Sequence, residues 1–207
     1  MAKVKEGART MLSGKADGLV YVQFNGGTYT RKVPKRKKDA WSPGMLLNLQ
    51  RFREVNSFCG QFKYSVIPQI WNAAAVKMSG YAYFLKSNMS AFAPDGSLGD
   101  AKKIKLSTGN LIWPEGFEAR RSEVDANTIK VNWPKYLNVG GIHLRDELMV
   151  ISAADGHYSE LTGTGIVRSA LTGSFELPVQ PVPATHIYLF FSSIDHRDYS
   201  ESVCFEV

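Results

Sequence analysis

Past about residue 100 the helical hydrophobic period stops and does not return, and this switch constrains the fold of the 207-residue chain more than any other feature. Apolar residues spaced about 3.6 apart bury one stripe of a helix, whereas short β-prone runs between turn residues bury the faces of a sheet. The runs lie at 103–106, 117–122, 128–133, 147–152, 164–170, 186–191 and 202–207, separated by Gly, Pro, Asn and Asp clusters. Seven such strands are enough for an immunoglobulin or fibronectin III-like β-sandwich. Within the third run the apolar residues alternate, so Ile129, Val131 and Trp133 face one core. Residues 187–191 are apolar at every position and mark the central strand.

Before the switch the pattern is helical. Ser42-Pro43 reads as a helix start, with Met45, Leu49, Phe52 and Val55 or Asn56 at helical spacing and Cys59-Gly60 closing it. A second helix carries Val66, Ile70, Trp71 and Ala74, and Pro68 fits only in its first turn, which puts the start near Ile67. Ser79 caps a third, bearing Tyr81, Phe84, Leu85 and Asn88, before Pro94-Asp95-Gly96 breaks the chain. Further upstream, β-prone runs flank Asn25-Gly26, a dipeptide suited to a hairpin turn with positive φ at both positions. The expected architecture is therefore α+β. An N-terminal β-hairpin, basic tether and helical segment occupy residues 1–98, and a β-sandwich domain occupies 99–207.

Charge is distributed unevenly. Residues 1–39 hold ten basic and three acidic residues, a net of +7 against +6 for the whole chain, so the remainder is close to neutral. Arg31, Lys32, Lys35, Arg36, Lys37 and Lys38 place six basic residues in eight positions, flanked by Tyr29 and Trp41. Such a segment serves as a solvated linker, a protein-docking segment, or a nucleic-acid contact that neutralises phosphates and stacks on bases. No helix-turn-helix, zinc-finger or RNA-binding aromatic motif accompanies it.

Cys59 and Cys204 are too few for a disulfide framework and read as reduced cytosolic thiols. Residues 1–17 lack the 7–15-residue apolar run of a signal peptide, and no apolar stretch approaches the roughly 20 residues that span a bilayer. A cytoplasmic protein without a membrane contact is expected.

The chemistry-bearing motifs are incomplete. Gly14-Lys15 has Arg9 where a phosphate loop needs its first Gly, and Ala16 follows the Lys. Gly163-Thr164-Gly165 lacks a third Gly, and no Gly-x-Ser-x-Gly occurs. His143, His157, His186 and His196 make no pair at metal-ligand spacing. In Asp195-His196-Arg197-Asp198 an Asp adjacent to a His resembles an oriented base, but a tight turn accounts for the same residues. Glu115, Glu118, Glu123 and Asp125 read as strand and turn edges, and Trp71, Tyr81, Tyr83 and Phe84 as core. Asn72 and Asn88 require hydrogen-bond partners within the helical part. No cofactor, no metal and no catalytic residue is expected.

Several blocks together resemble a family of uncharacterised bacterial proteins, a domain of unknown function, over nearly the whole chain. They are Gly14-Lys15 before the hairpin, Pro34-Lys35, Ser42-Pro43 with Arg51-Phe52, Trp71-Asn72-Ala73-Ala74, Ser79-Gly80-Tyr81 with Phe84 and Asn88, and Leu189-Phe190-Phe191. The central blocks are also similar to small proteins encoded with phage and mobile elements. The chain departs from the pattern at Leu46, Leu47 and Leu49, which replace a Gln-rich helix start, and at Pro68. The resemblance implies no activity. Two readings follow: a non-enzymatic structural or interaction protein that binds a protein partner or itself, and a nucleic-acid-binding accessory protein of a mobile element acting through residues 31–38.

Overall fold

A type I′ hairpin turn needs φ > 0 at both central residues, which Asx-Gly dipeptides supply at least cost, and both Asp17-Gly18 and Asn25-Gly26 qualify. The computed structural model describes residues 3–5, 11–24, 27–35, 41–135, 141–178 and 184–207. Asp17 and Gly18 have φ of 49° and 74° and join β2 (Met11–Ala16) to β3 (Leu19–Phe24). The strand pair β3 and β4 (Gly27–Lys32) closes on Phe24 opposite Gly27, while the Asn25-Gly26 turn lies outside the described residues. With β1 (Lys3–Lys5) at one edge, four strands form an antiparallel sheet in the order β1-β2-β3-β4. The hairpin read from the sequence is half of this sheet.

The chain divides into two compact units, residues 1–43 and 44–207. Residue 98, the expected boundary, falls inside the second unit, because the helical segment shares a core with the strands that follow it. In this unit α1 (Pro43–Gln61) buries Val55, Phe58 and Cys59. A π-helical turn, Ile67–Trp71, with Pro68 in its first turn, runs into α2 (Asn72–Ala74). The third helix, α3 (Gly80–Asn88), begins at Ser79, whose Oγ accepts from the Ala82 N–H at 3.2 Å.

All strands that follow pair antiparallel. An outer sheet has the order β10-β6-β5, from β5 (Glu118–Arg121), β6 (Thr128–Asn132) and β10 (Thr172–Glu176). The larger sheet contains β7 (Glu147–Ala154), β8 (His157–Tyr158), β9 (Thr162–Val167), β11 (His186–Ser192) and β12 (Val203–Glu206). Its order is β12-β11-β7-β8, with β9 also paired to β7. Because successive side chains on a strand point to opposite faces, β7 and β11 supply two cores. Leu148, Val150, Ile187, Leu189 and Phe191 meet Ile129, Val131 and Phe175 of the outer sheet. Met149, Ile151, Tyr188 and Phe190 meet Phe58, Phe62, Trp71 and Phe84 of the helical part. This α+β unit has three layers, with the expected central strand, now β11, lying between β12 and β7.

The expected strand at 103–106 is absent. Ala101–Lys103 is a single 3-10 turn, followed by an extended stretch in which Ile104 and Leu106 are buried as a strand would bury them. Its hydrogen bonds go to side chains rather than to a ladder. The Lys105 N–H donates to Asn88 Oδ1 at 2.7 Å, Asn88 Nδ2 donates to the Lys105 carbonyl at 3.0 Å, and the Leu106 N–H donates to Ser202 Oγ at 2.9 Å. The buried Asn88 thus stands in for a neighbouring strand and fastens the end of α3. The stretch expected at 164–170 leaves the sheet at Arg168–Ala170, a 3-10 turn, and β10 follows it.

Candidate nucleic-acid interface

Three of the six basic residues, Arg31, Lys32 and Lys35, are described, and all three are exposed; Arg36, Lys37 and Lys38 lie outside the described residues. The pleat does not present them as one cluster. Arg31 pairs with Val20, which pairs with Lys15, so these three share a face, and the next row on that face is Val22 with Tyr29. Lys32 pairs with Leu19 and Ala16 on the opposite face, and Lys35 lies beyond the strand. Tyr29 is 52% exposed, and Val20 and Val22 are half-buried. Lys15, which the sequence run did not include, joins Arg31 through strand register alone. Asp17 is the one acidic residue among the described residues of this unit, and no described residue forms an ion pair with Lys15 or Arg31.

The other polar candidates are committed locally. Residues 193–198 form the turn leaving β11: Asp195 Oδ1 accepts from Ser193 Oγ at 2.7 Å, and this bond, first among several, holds the carboxyl below the usual carboxylate range. Asp195 does not orient His196. The His196 ring instead places Nδ1 2.9 Å from Ser192 Oγ, a Ser–His contact that sequence spacing did not suggest. Ser192 is fully buried and also bonds to the Ser193 carbonyl at 3.1 Å, so its hydroxyl has no approach for a substrate. Asp125 caps its own turn through the Asn127 N–H at 2.9 Å and Thr128 Oγ1 at 2.7 Å. Glu118 pairs with Arg120 at 3.3 Å. Trp71, Tyr83 and Phe84 pack edge to face in the core, with ring centroids 5.0–5.1 Å apart.

A groove of about 320 Å³ lies between α1, the loop at 92–98 and the β7–β8 turn. Phe58, Phe92 and Tyr158 form its floor and Glu54, Ser57, Gln61 and Ser97 its rim. Ser97 Oγ is occupied by Asp95 at 2.7 Å within its own turn, and Gln61 Nε2 by the Gly156 carbonyl at 3.1 Å across the groove, so these two rim groups already have partners.

The sequence did not reveal one buried cluster. Asp146 and Arg168, 2% and 5% exposed, form an ion pair at 3.4 Å, and His143 Nδ1 lies 3.4 Å from the same carboxylate oxygen. Arg168 also donates to the Ile112 carbonyl at 2.8 Å and lies 4.0 Å over the Phe191 ring. Burial raises the Asp146 pKa and lowers that of Arg168, while each partner's charge opposes the shift on the other. The two residues are 22 positions apart and neither belongs to a motif, so no local signal marks them.

Both thiols are free, and burial pushes Cys59 up to about 12 and raises Cys204. A thiolate is the reactive form, so at neutral pH Cys59 is expected to stay unmodified by an aromatic disulfide reagent until the protein is unfolded. Fast labelling of Cys59 in the folded protein would show that the face of α1 carrying it is not buried against the rest of the core.

No helix among the described residues is long and apolar enough to cross a membrane, and no three His, Cys, Asp or Glu side chains among them come together as a metal ion would need. No family model, curated protein or solved structure matches the chain.

Proposed function

We propose that this is a non-enzymatic structural or interaction protein that assembles with further copies of itself through the amino-terminal half of α1. One observation carries the reading: Leu46, Leu47 and Phe52 are 55%, 44% and 48% exposed on consecutive turns of one helix. Large apolar side chains left exposed within seven residues of one helix suit an interaction surface, and most soluble oligomers are homo-oligomers. The strand order supports an immunoglobulin-like sandwich as the carrier. Taking β5, β6 and β10 as strands A, B and E, and β7, β11 and β12 as C, F and G, gives the two-sheet division of that fold, with β9 beside C. Sizing with light scattering over a wide range of concentration tests the proposal. A mass above 23.0 kDa that falls to the monomer in Leu46→Glu/Phe52→Glu, with unchanged circular dichroism, is expected. A wild-type monomer at every concentration overturns it.

The exposed Arg31, Lys32 and Lys35 favour a second reading, contact with nucleic acid. The charge of residues 1–39 is enough to make such binding fall with salt.

A further inference from the structure

The tether at 31–38 draws attention as a charge run, but strand register separates Arg31 from Lys32 and gathers a different set. Lys15, Val20 and Arg31 form one row across β2, β3 and β4, with Lys15 and Arg31 two strand spacings apart, about 10 Å. Val22 and Tyr29 form the adjacent row on the same face, about 7 Å along the strands. Among the described side chains the face therefore offers two cations about 10 Å apart, an exposed aromatic ring next to one of them, and half-buried valines between. The described side chains of the opposite face include one cation, Lys32, beside Leu19, Tyr21 and Thr30.

We infer that this face, rather than the tether, is the nucleic-acid contact, and that it takes a single strand: Lys15 and Arg31 bind phosphates while Tyr29 stacks on a base. The inference rests on the second reading above. Charge complementarity selects a polyanion, because neither cation has an acidic partner among the described residues. The ring selects a single strand. In a duplex the base faces are stacked on one another, whereas an extruded or unpaired base presents a face on which an exposed ring can stack.

The test is fluorescence anisotropy of the full-length chain with labelled oligo-dT and with a blunt duplex of mixed sequence, over a salt series. Lys15→Ser/Arg31→Ser is expected to weaken oligo-dT binding and reduce the log-log salt slope by roughly 1.4, about 0.7 for each phosphate no longer neutralised. Tyr29→Ala is expected to weaken it roughly 5- to 150-fold with little change in slope, the usual range for one stacked base. Lys32→Ser/Lys35→Ser is the control and should change it far less. All of these positions are exposed, so the sheet should keep its fold. Loss confined to Lys32→Ser/Lys35→Ser, or equal loss in both pairs, overturns the face while leaving nucleic-acid binding intact. Equal affinity for the duplex with no effect of Tyr29→Ala overturns the single-strand assignment. Absence of binding by the wild type at low salt removes the second reading and the face with it.

Discussion

Replacing Trp71 by alanine is expected to destabilise the second unit by about 3–5 kcal/mol, the range for truncating a large buried aromatic. Trp71 is fully buried where the π-helical turn passes under α3, with Tyr83 and Phe84 against its ring. Its Nε1 donates to the Leu106 carbonyl at 3.0 Å, so it also ties the helical layer to the extended stretch before the outer sheet. Against a typical total of about 5–15 kcal/mol, a loss of this size removes a large share of the folded state's margin. Urea unfolding followed by far-ultraviolet circular dichroism measures it. Trp71→Phe separates the two contributions, since it keeps most of the ring and forfeits the hydrogen bond, and should cost about 1 kcal/mol from the bond together with a small cavity. A midpoint for Trp71→Ala within error of the wild type would mean that the helices do not close over the sheet.

Arg168→Met is expected to cost about as much, roughly 3–5 kcal/mol, by a different route. It leaves the Asp146 carboxylate buried with only His143 beside it. Burying two charges is costly in itself, so the comparison with Asp146→Leu/Arg168→Met matters: the apolar pair should recover much of the stability that the single variant forfeits. Acidity supplies a further check. Burial raises the Asp146 pKa above its ordinary value, so its titration favours the folded state below that value, and this contribution is lost as pH rises through the raised one. Without Arg168 the opposing pull is gone and the carboxyl rises further. Near pH 4 the variant can neutralise Asp146, so its deficit relative to the wild type should be smaller than at pH 7. A deficit that is constant across that range would show that the pair does not act through charge.

Much of the local structure was legible in the residues. The Ser42-Pro43 start, the placement of Pro68 in a first turn and the Ser79 cap mark the three helical segments, because each rests on a chemical preference at a helix end. The double-sided apolar run of β11 was equally clear, since no half-exposed strand carries five consecutive apolar residues. Strand β10, Thr-Gly-Ser-Phe-Glu, was not visible. Phe175 is its one large buried residue, and its pairing with β6 comes from a strand about 40 residues away. The Asp17-Gly18 turn carried the same signal as Asn25-Gly26 and was the feature through which β2 could have been read.

The sequence by itself determined the period switch near residue 100, the helix ends and the apolar faces of the central strands, because each depends on neighbours within a turn or two of chain. Tertiary structure decided the rest. Asn88 takes the place of a strand for Lys105, the helices share a core with β7 and β11, Asp146 meets Arg168, and Lys15 lines up with Arg31 across Val20 while Lys32 turns away. Each of these depends on register or on partners distant in sequence, and a one-residue shift in register moves every side chain of a strand to its other face.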